Sequence, residues 1–495
     1  MTIGYLIIFL ATKMSYATNI ITSTDYYKLS HPQMKDQLGI GHSYAYFEAR
    51  KGATFPSTLF FGIRYYLKMI EGCAVTMESI NDAERRIKRA YGPDAIFPRK
   101  EWEYIMEVHK GRLPVLIKSV MEGSYVPEGN VLFTVESTDE KCGWLVGYLE
   151  TFLSKIWYPS AVATLSCEVK KVIRKHTTKT SESDPFLDYR LHDFGARGVS
   201  SGESAMIGGL AHLLNFAGTD TVQLCDIVDD LYHFKDPIAS SVPATEHSIM
   251  TTFGMQGEHT IITELLRDEY YKDKILSIVC DSYNVFDTVE FICRDLHDDV
   301  LSRTGKIVIR PDSGNPVDVT LQILKIIEKY FPVSINSNGY KVLDPHIGII
   351  YGDGLTIASI DSFLTEITKM GWCATNMVFG MGGGLLQKVT RDTQRCAYKV
   401  SACKMMGSDT WMDVYKDPIT SSGSESKKSK AGRLMLRKID EQYVTCREDD
   451  ISGTHKNFLV TMFENGTVYE GCEDGDLHDF DMIRARVKHE VFGTA

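Results

Sequence analysis

The chain has no C-x-x-C pair among its eleven cysteines, no surplus of positive charge, and no G-x-x-x-x-G-K-[ST] phosphate loop. Each absence removes a class of protein. Cysteines scattered singly and odd in number build neither a disulfide nor a zinc framework; they are the usage of a reducing compartment, and the cytoplasm is the expected location. With 54 Lys and Arg against 65 Asp and Glu, the net charge of −11 repels nucleic-acid backbones and anionic membranes, so neither is an expected partner. The apolar run Gly4 to Ala11 is too short to span a bilayer. It also lacks the basic residue that precedes the core of a secretory leader. Residues 1–18 are expected to be a disordered extension, or the product of an early start codon with Met14 as the alternative beginning. The sequon Asn465-Gly466-Thr467 then carries no meaning.

What is present is a globular composition, 43% apolar and 24% charged over 495 residues, with too much chain for a single core. From about 187 to 400 one rhythm repeats: a short β-rich run, a polar turn bearing Gly or Asp, then a helical stretch. The runs are YRLHDFGARG (189–198), TVQLCD (221–226), SSVPATEH (240–247), LSIVCDSYN (276–284), IVIRPDSGNP (307–316), IGIIYGDG (347–354) and MVFGMGGG (377–384). Helices are expected between them, one from Asp318 to Phe331 with Leu321, Leu324, Ile327 and Phe331 on one face, the next with Ile360, Phe363, Leu364, Ile367 and Met370. Such alternation implies parallel strands, and seven units suggest an irregular β/α barrel over 187–399 with its reactive groups in the loops that follow the strands. The flanks, 19–186 and 400–495, are expected to form a discontinuous mixed α/β support domain. Within the flanks, 117–137 reads as a hairpin pair, the end of the chain as strand, and Ser421 to Lys430 as a loop.

The turns hold chemistry-bearing residues. Gly380-Met381-Gly382-Gly383-Gly384 before Leu385 gives bare backbone N–H groups and a helix start, which suits an anion; taken alone it is weak evidence for phosphate. From Gly382 to Arg433 ten Lys and Arg face five Asp and Glu, a local +5 that favours a polyanionic ligand or else forms a solvated basic face. Asp312 in RPDSGNP and Asp353 in Gly-Asp-Gly end apolar strands and suit ribose hydroxyls or Mg²⁺, or simply cap the next helices. His247 and Asp281 end neighbouring units; if they meet, the carboxylate would orient the imidazole and stabilise its charged or phosphorylated form.

These turns belong to a longer set of motifs: DYYKLSH (25–31), YFEAR (46–50), LHDFGARGVSS (191–201), GTDT (218–221), SVPATEH (241–247), IRPDSGNP (309–316), GDG (352–354), GGGLLQK (382–388) and KDP (416–418). In this order, and from Asp25 to about residue 490, they resemble the nicotinamide phosphoribosyltransferase family. The resemblance implies an irregular β/α barrel of the type II phosphoribosyltransferase kind with a second, discontinuous α+β domain, and a homodimer whose active sites are shared between subunits. It implies transfer of a phosphoribosyl group from phosphoribosyl pyrophosphate to nicotinamide, aided by Mg²⁺ and stimulated by ATP. By position, Phe194 and the partner subunit's Tyr27 would sandwich the pyridine ring, Asp220 would accept from the carboxamide, and Arg197 and Ser277 would contact substrate. Gly352, Asp353, Asp312, Gly382 and Gly383 would hold the phosphoribosyl group. Arg310, Arg391, Lys399, Arg50, Lys416 and Lys427 would surround the phosphates, and Mg²⁺ would ride mainly on pyrophosphate with Asp312 as the protein ligand. His247 would take a phosphoryl group from ATP, with Asp281 beside it.

Asp220 also bears on substrate choice. A nicotinate carboxylate about 4 Å from an ionised Asp would meet about 4 kcal/mol of repulsion at an effective dielectric of about 20, whereas an amide gains a charged hydrogen bond of about 1.5–3 kcal/mol. The rival readings are a nicotinate phosphoribosyltransferase and a non-enzymatic binding module on the same fold. Departures from the family pattern are Gly348 where a basic residue is usual, Ala397 for a Ser, Ala196 where Tyr is common, and Met381 opening the Gly-rich turn. They bear on phosphate affinity, not on the reaction.

Overall fold

The structure, a computed structural model, describes residues 19–418, 428–451, 455–472 and 475–493. Lys427, most of the Ser421–Lys430 loop and the 1–18 extension lie outside the described residues. Contacts divide the chain into two compact units, Met1–Ala161 with Arg391–Ala495, and Val162–Thr390. The expected division lies instead at 186/187 and 399/400.

The first unit is built on a seven-stranded antiparallel sheet in the order Met412–Asp413, Cys396–Met405, Ile40–Ala49, Val131–Ser137, Val115–Ser119, Val460–Glu464, Thr467–Val468. The pair expected in 117–137 is present, with Ile117 opposite Val135. Tyr125–Pro127 between them pairs instead with Ser57–Leu59. The end of the chain is not strand: Phe480–Phe492 is a helix, started by Asp479, whose side chain accepts from the Met482 N–H.

The second unit holds six parallel strands in the order Gly218–Thr219, Leu191–Asp193, Met377–Met381, Ile347–Tyr351, Ile307–Arg310, Leu276–Val279. Strands covered on both faces read as continuous apolar runs, as IGIIY does with all five residues buried. The seventh expected run, 240–247, forms no strand, because Pro243 has no N–H to give a ladder. It still bridges both sheet edges singly, Ser240 to Gly218 and Ala244 to Ser277, so the ring closes through it. The 221–226 run is not a strand either. Val222–Leu224 is a 3-10 turn leading into the helix Cys225–Leu231, and the strand lies earlier, at Gly218–Thr219.

The covering helices follow their caps. Pro316–Tyr330 starts two residues ahead of expectation, because the Asn315 side chain accepts from the Val317 and Asp318 N–H groups and Pro316 fits the first turn. It buries Thr320, Ile323, Leu324 and Ile327, not Leu321. Ile357–Lys369 carries a Thr356/Ser359 capping box and buries Ile360, Phe363, Leu364, Ile367 and Thr368; Met370 stays exposed at its end.

Inside this unit His212 is fully buried, its ring bonded to Ser166 Oγ at 2.9 Å and Gly218 O at 3.1 Å. Burial holds its pKa down to about 3, so the folded state keeps it neutral while an unfolded His titrates near its ordinary value of 6.5. The depressed folded pKa means full stability above about pH 6.5 and progressive loss as pH falls towards about 3. The His212→Gln variant should remove that component. In denaturant unfolding, the wild type minus variant stability is expected to be flat above about pH 6.5 and to fall by up to about 1.4 kcal/mol per pH unit below it.

Candidate active site

At the carboxyl ends of the parallel strands, each turn sets one group. Phe194 follows Leu191–Asp193; its N–H donates to Met381 O at 2.9 Å. Its ring lies against two neighbouring strand ends that have no side chain to obstruct it. A Cβ on Gly380 would sit 2.0 Å from Phe194 Cε2, and one on Gly352 would sit 3.1 Å from it. The glycines thus make room for an aromatic surface that helps line the barrel mouth.

The turn bearing Phe194 is fixed from within by Asp193, which the sequence reading passed over. This fully buried carboxylate accepts from Gly195 N at 2.7 Å, Thr221 Oγ1 at 2.6 Å and Thr219 Oγ1 at 3.3 Å. Burial nevertheless pushes its pKa up, with the nearby Asp220 adding a smaller push. Asp220 itself is exposed; its N–H donates to Asp193 O at 2.9 Å, and its carboxylate accepts from the Ser241 hydroxyl. Phe194 and Asp220 therefore share one buried support. Beside them His192 is held low by burial, with Asp220 opposing.

His247 and Asp281 do meet, Nε2 to Oδ1 at 3.0 Å, the imidazole half exposed and the carboxylate largely buried. Asp281, Asp312 and Asp353 all act on Tyr351, whose phenol is pushed up to about 12 by burial first and then by Asp353, Asp312 and Asp281. Among the described residues, neither Asp312 nor Asp353 has a cationic nitrogen within 4 Å. Arg310 has a buried Nε with no hydrogen-bond partner, and no described carboxylate lies within 4 Å of it or of the exposed Arg197. Ser277 is placed by ring closure, its N–H donating to Pro243 O and its carbonyl accepting from Thr245 N, both at 2.9 Å. The Gly382–Gly383 turn packs on the 196–198 turn, since a Cβ on Gly198 would lie 3.0 Å from Gly383 N. The helix after it, Gly383–Leu386, is a single turn. Its dipole is slight, so what the turn offers an anion is bare N–H groups.

The remaining cations belong to the first unit. Arg50 follows Ile40–Ala49; its Nε and Nη2 are buried without hydrogen-bond partners, with Glu48 Oε1 3.5 Å from Nε. Lys399, opposite Tyr46 in the sheet, donates to Tyr398 O at 2.7 Å. Burial lowers its pKa; Glu150 opposes, and Arg50, Lys416 and Lys28 lower it further, so these four cations share one neighbourhood. Lys28, also missed in the sequence, is buried and donates to Gly147 O at 2.6 Å and Glu150 at 2.7 Å. Tyr27 beside it is exposed, edge to face with His31 at 5.1 Å. Arg391 is exposed and Lys416 likewise, neither ion-paired among the described residues. Of the other basic residues in 382–433, Lys430 pairs with Glu48, Lys428 with Asp417 at 2.9 Å, and Arg433 with Glu136 and Glu448 at 3.1 and 3.0 Å. Much of the local +5 is thus spent on internal pairs.

A family model described as the nicotinate phosphoribosyltransferase (NAPRTase) family matches residues 189–465, and one described as nicotinamide phosphoribosyltransferase, N-terminal domain, matches 19–117. The nicotinamide phosphoribosyltransferase of Xanthomonas campestris pv. campestris (strain 8004) is 42% identical over 462 residues, 92% of this chain and 96% of its own. This chain belongs to the nicotinamide phosphoribosyltransferase family. The family makes it an enzyme, a phosphoribosyltransferase. The namesake from Acinetobacter baylyi (strain ATCC 33305 / BD413 / ADP1) is 29% identical over 97% of this chain and 99% of its own. Two crystal structures share the fold: nicotinate-nucleotide pyrophosphorylase from Pyrococcus furiosus (TM-score 0.60, 12% identity, 98% and 99% of the two chains) and human nicotinic acid phosphoribosyltransferase (0.52, 14%, 94% and 93%). The expected barrel of the type II phosphoribosyltransferase kind, with its separate antiparallel-sheet unit, is the fold found.

The glycine bed can be tested. Gly380→Ala should displace the Phe194 ring and cost about 1–3 kcal/mol of stability as an overpacked contact, with KM for the aromatic substrate raised. Gly202→Ala, where a Cβ meets nothing within 4 Å, is the control and should change neither.

Proposed function

We propose that the protein transfers a phosphoribosyl group from phosphoribosyl pyrophosphate to nicotinamide, releasing pyrophosphate and forming the mononucleotide for NAD salvage. The observation that carries this reading is the joint support of Phe194 and Asp220 on Asp193: an aromatic face and a carboxylate acceptor presented together, fit for a flat ring bearing an amide. The aromatic face stacks the pyridine, with Tyr27 of the partner subunit as the second face in a homodimer. Asp220, held by Ser241, accepts from the carboxamide and repels a carboxylate. Because Asp220 is exposed, that repulsion falls from about 4 kcal/mol towards about 1 kcal/mol unless the substrate excludes water.

The reaction needs little proton transfer. The ring nitrogen bonds the anomeric carbon as the bond to the pyrophosphate oxygen breaks, through an oxocarbenium-like state, and the protein's part is to align the two and to stabilise the departing charge. Asp312 and Asp353 suit the ribose hydroxyls and are hard oxygen donors fit for Mg²⁺. That ion, when bound, would neutralise the leaving pyrophosphate. Arg310, Arg197, Gly352, Gly382, Gly383 and Ser277, all in the second unit, are assigned to the substrate; Arg50, Arg391, Lys399, Lys416 and Lys427 keep the phosphate-binding assignment that the family resemblance gives them. His247 is assigned as acceptor of a phosphoryl group from ATP. With Nε2–H donated to Asp281, the lone pair of Nδ1 is the nucleophile, and ADP leaves. Free cysteines throughout support the cytoplasm. No helix among the described residues is long and apolar enough to cross a membrane.

The family model named for nicotinate gives the rival substrate its standing, and Asp220 decides between them. Mononucleotide formation should be assayed with phosphoribosyl pyrophosphate and Mg²⁺, comparing nicotinamide with nicotinate, with and without ATP. Nicotinamide is expected to react and nicotinate not; the reverse would overturn the base assignment. Asp220→Ser should relax the preference by about tenfold or more, the loss of one charge-assisted hydrogen bond. His247→Ala should abolish ATP stimulation and leave basal turnover; undiminished stimulation would remove His247 from the mechanism.

A further inference from the structure

Tyr351 is the last residue of the strand Ile347–Tyr351, immediately ahead of Gly352-Asp353-Gly354, and is 1% exposed. A tyrosine buried so deeply keeps its hydroxyl only where a partner takes the proton. Here the phenol O–H donates to Gly314 O at 3.1 Å. Gly314 lies in the neighbouring turn, 311–316, at φ +87°, a left-handed conformation in which glycine carries no steric penalty. The bond therefore joins two turns whose strands, Ile347–Tyr351 and Ile307–Arg310, are paired in register only as far as Ile349 opposite Ile309. Beyond that point no ladder pairing continues, and the phenol supplies a bond between the two turns. Asp312 belongs to one turn and Asp353 to the other. Asp353 and Asp312 both bear on the phenol, secondary to its burial, and a Cβ on Gly352 would lie 3.8 Å from Asp312 Oδ1, so the two turns bring like charges close.

We propose that Tyr351 is a positioning residue for the phosphoribosyl group: its hydroxyl fixes the separation of the Asp312 and Asp353 turns so that both carboxylates meet one ribose. The inference rests on the assignment of those two aspartates to the phosphoribosyl group. Buried and bonded to Gly314 O, Tyr351 acts through the two turns and is not catalytic. It sets geometry for two turns that bring like charges close. Nothing in the strand pattern reveals this, because Tyr351 reads as one more apolar residue of IGIIY.

The test is Tyr351→Phe, which keeps the ring and removes the bond. KM for phosphoribosyl pyrophosphate is expected to rise about three- to tenfold, the factor that one neutral hydrogen bond supplies. KM for the base and kcat should hold within about twofold, and hydrogen exchange of the 312–315 amides should quicken while that of the strand Ile307–Arg310 does not. A variant that leaves KM for phosphoribosyl pyrophosphate unchanged, or that lowers kcat and raises both KM values together, overturns the proposal. Asp312→Asn, run alongside, separates the two levels. If it weakens phosphoribosyl pyrophosphate and Tyr351→Phe does not, the positioning role alone falls; if neither does, the assignment of this mouth to the phosphoribosyl group falls with it.

Discussion

A six-stranded parallel sheet has two bare edges, and the second unit covers both with one segment that has no strand of its own. Four backbone hydrogen bonds carry the closure: Thr219 N to Ser240 O at 3.0 Å, Ser240 N to Ala217 O at 2.7 Å, Ser277 N to Pro243 O and Thr245 N to Ser277 O at 2.9 Å. The Thr245 hydroxyl adds a fifth, accepting from Val279 N at 2.9 Å. Unpaired edges attract other chains and leave polar groups unsatisfied, so these bonds protect the sheet. They also place the chemistry. Between its two points of attachment the segment brings Ser241 to Asp220, and just beyond them it brings His247 to Asp281. A regular strand would pair more residues, but its side chains would alternate at fixed spacing. The irregular path lets Ser241 and His247 reach carboxylates on opposite sides of the closure.

A second constraint is space. An aromatic ring placed against strand ends needs those strands to lack Cβ atoms where it lies, and glycine occurs at both places the ring touches, 352 and 380. This gives Gly380 and Gly352 a reason that phosphate binding alone does not. The Gly-rich stretch 380–384 thus serves two purposes, a bed for Phe194 at its first residue and bare N–H groups at 382 and 383.

The barrel was legible because its strands are apolar runs ending in Gly or Asp, and the residues with chemistry to offer fall where those runs stop. The failures have local causes. The 221–226 run alternates apolar and polar residues as a strand does, yet its start is tied elsewhere: the Thr221 hydroxyl is bonded to Asp193, and no neighbouring strand remains to pair with it. The last helix hides because its thirteen residues bury only Phe480, Ile483 and Val487; its signal was the cap, Asp479. Asp193, Tyr351, Lys28 and Glu150 were passed over for a common reason. Their importance lies in what they hold, and a sequence shows residue types and spacing, not partners.

Several polar groups are left without hydrogen-bond partners. Arg310 and Asp312 stand two residues apart with opposite charge, yet they form no ion pair. Buried or half-buried charges without partners are costly, and a fold selected for stability alone would join them. Arg310 Nε, Arg50 Nε and Nη2 and Ser282 Oγ are all buried polar atoms without a hydrogen-bond partner. Arg190, by contrast, gives its guanidinium to Thr375 O at 2.6 Å and to the Asp184 carboxylate at 2.8 Å. A molecule carrying phosphates, ribose hydroxyls and a metal ion would give the groups at these strand ends partners: Arg310 would meet a phosphate oxygen, and Asp312 and Asp353 would meet hydroxyls or the ion. Binding free energy for such a ligand then comes largely from satisfying donors and charges that the folded chain leaves unspent, which is why a phosphoribosyl donor suits this mouth better than an apolar molecule of equal size.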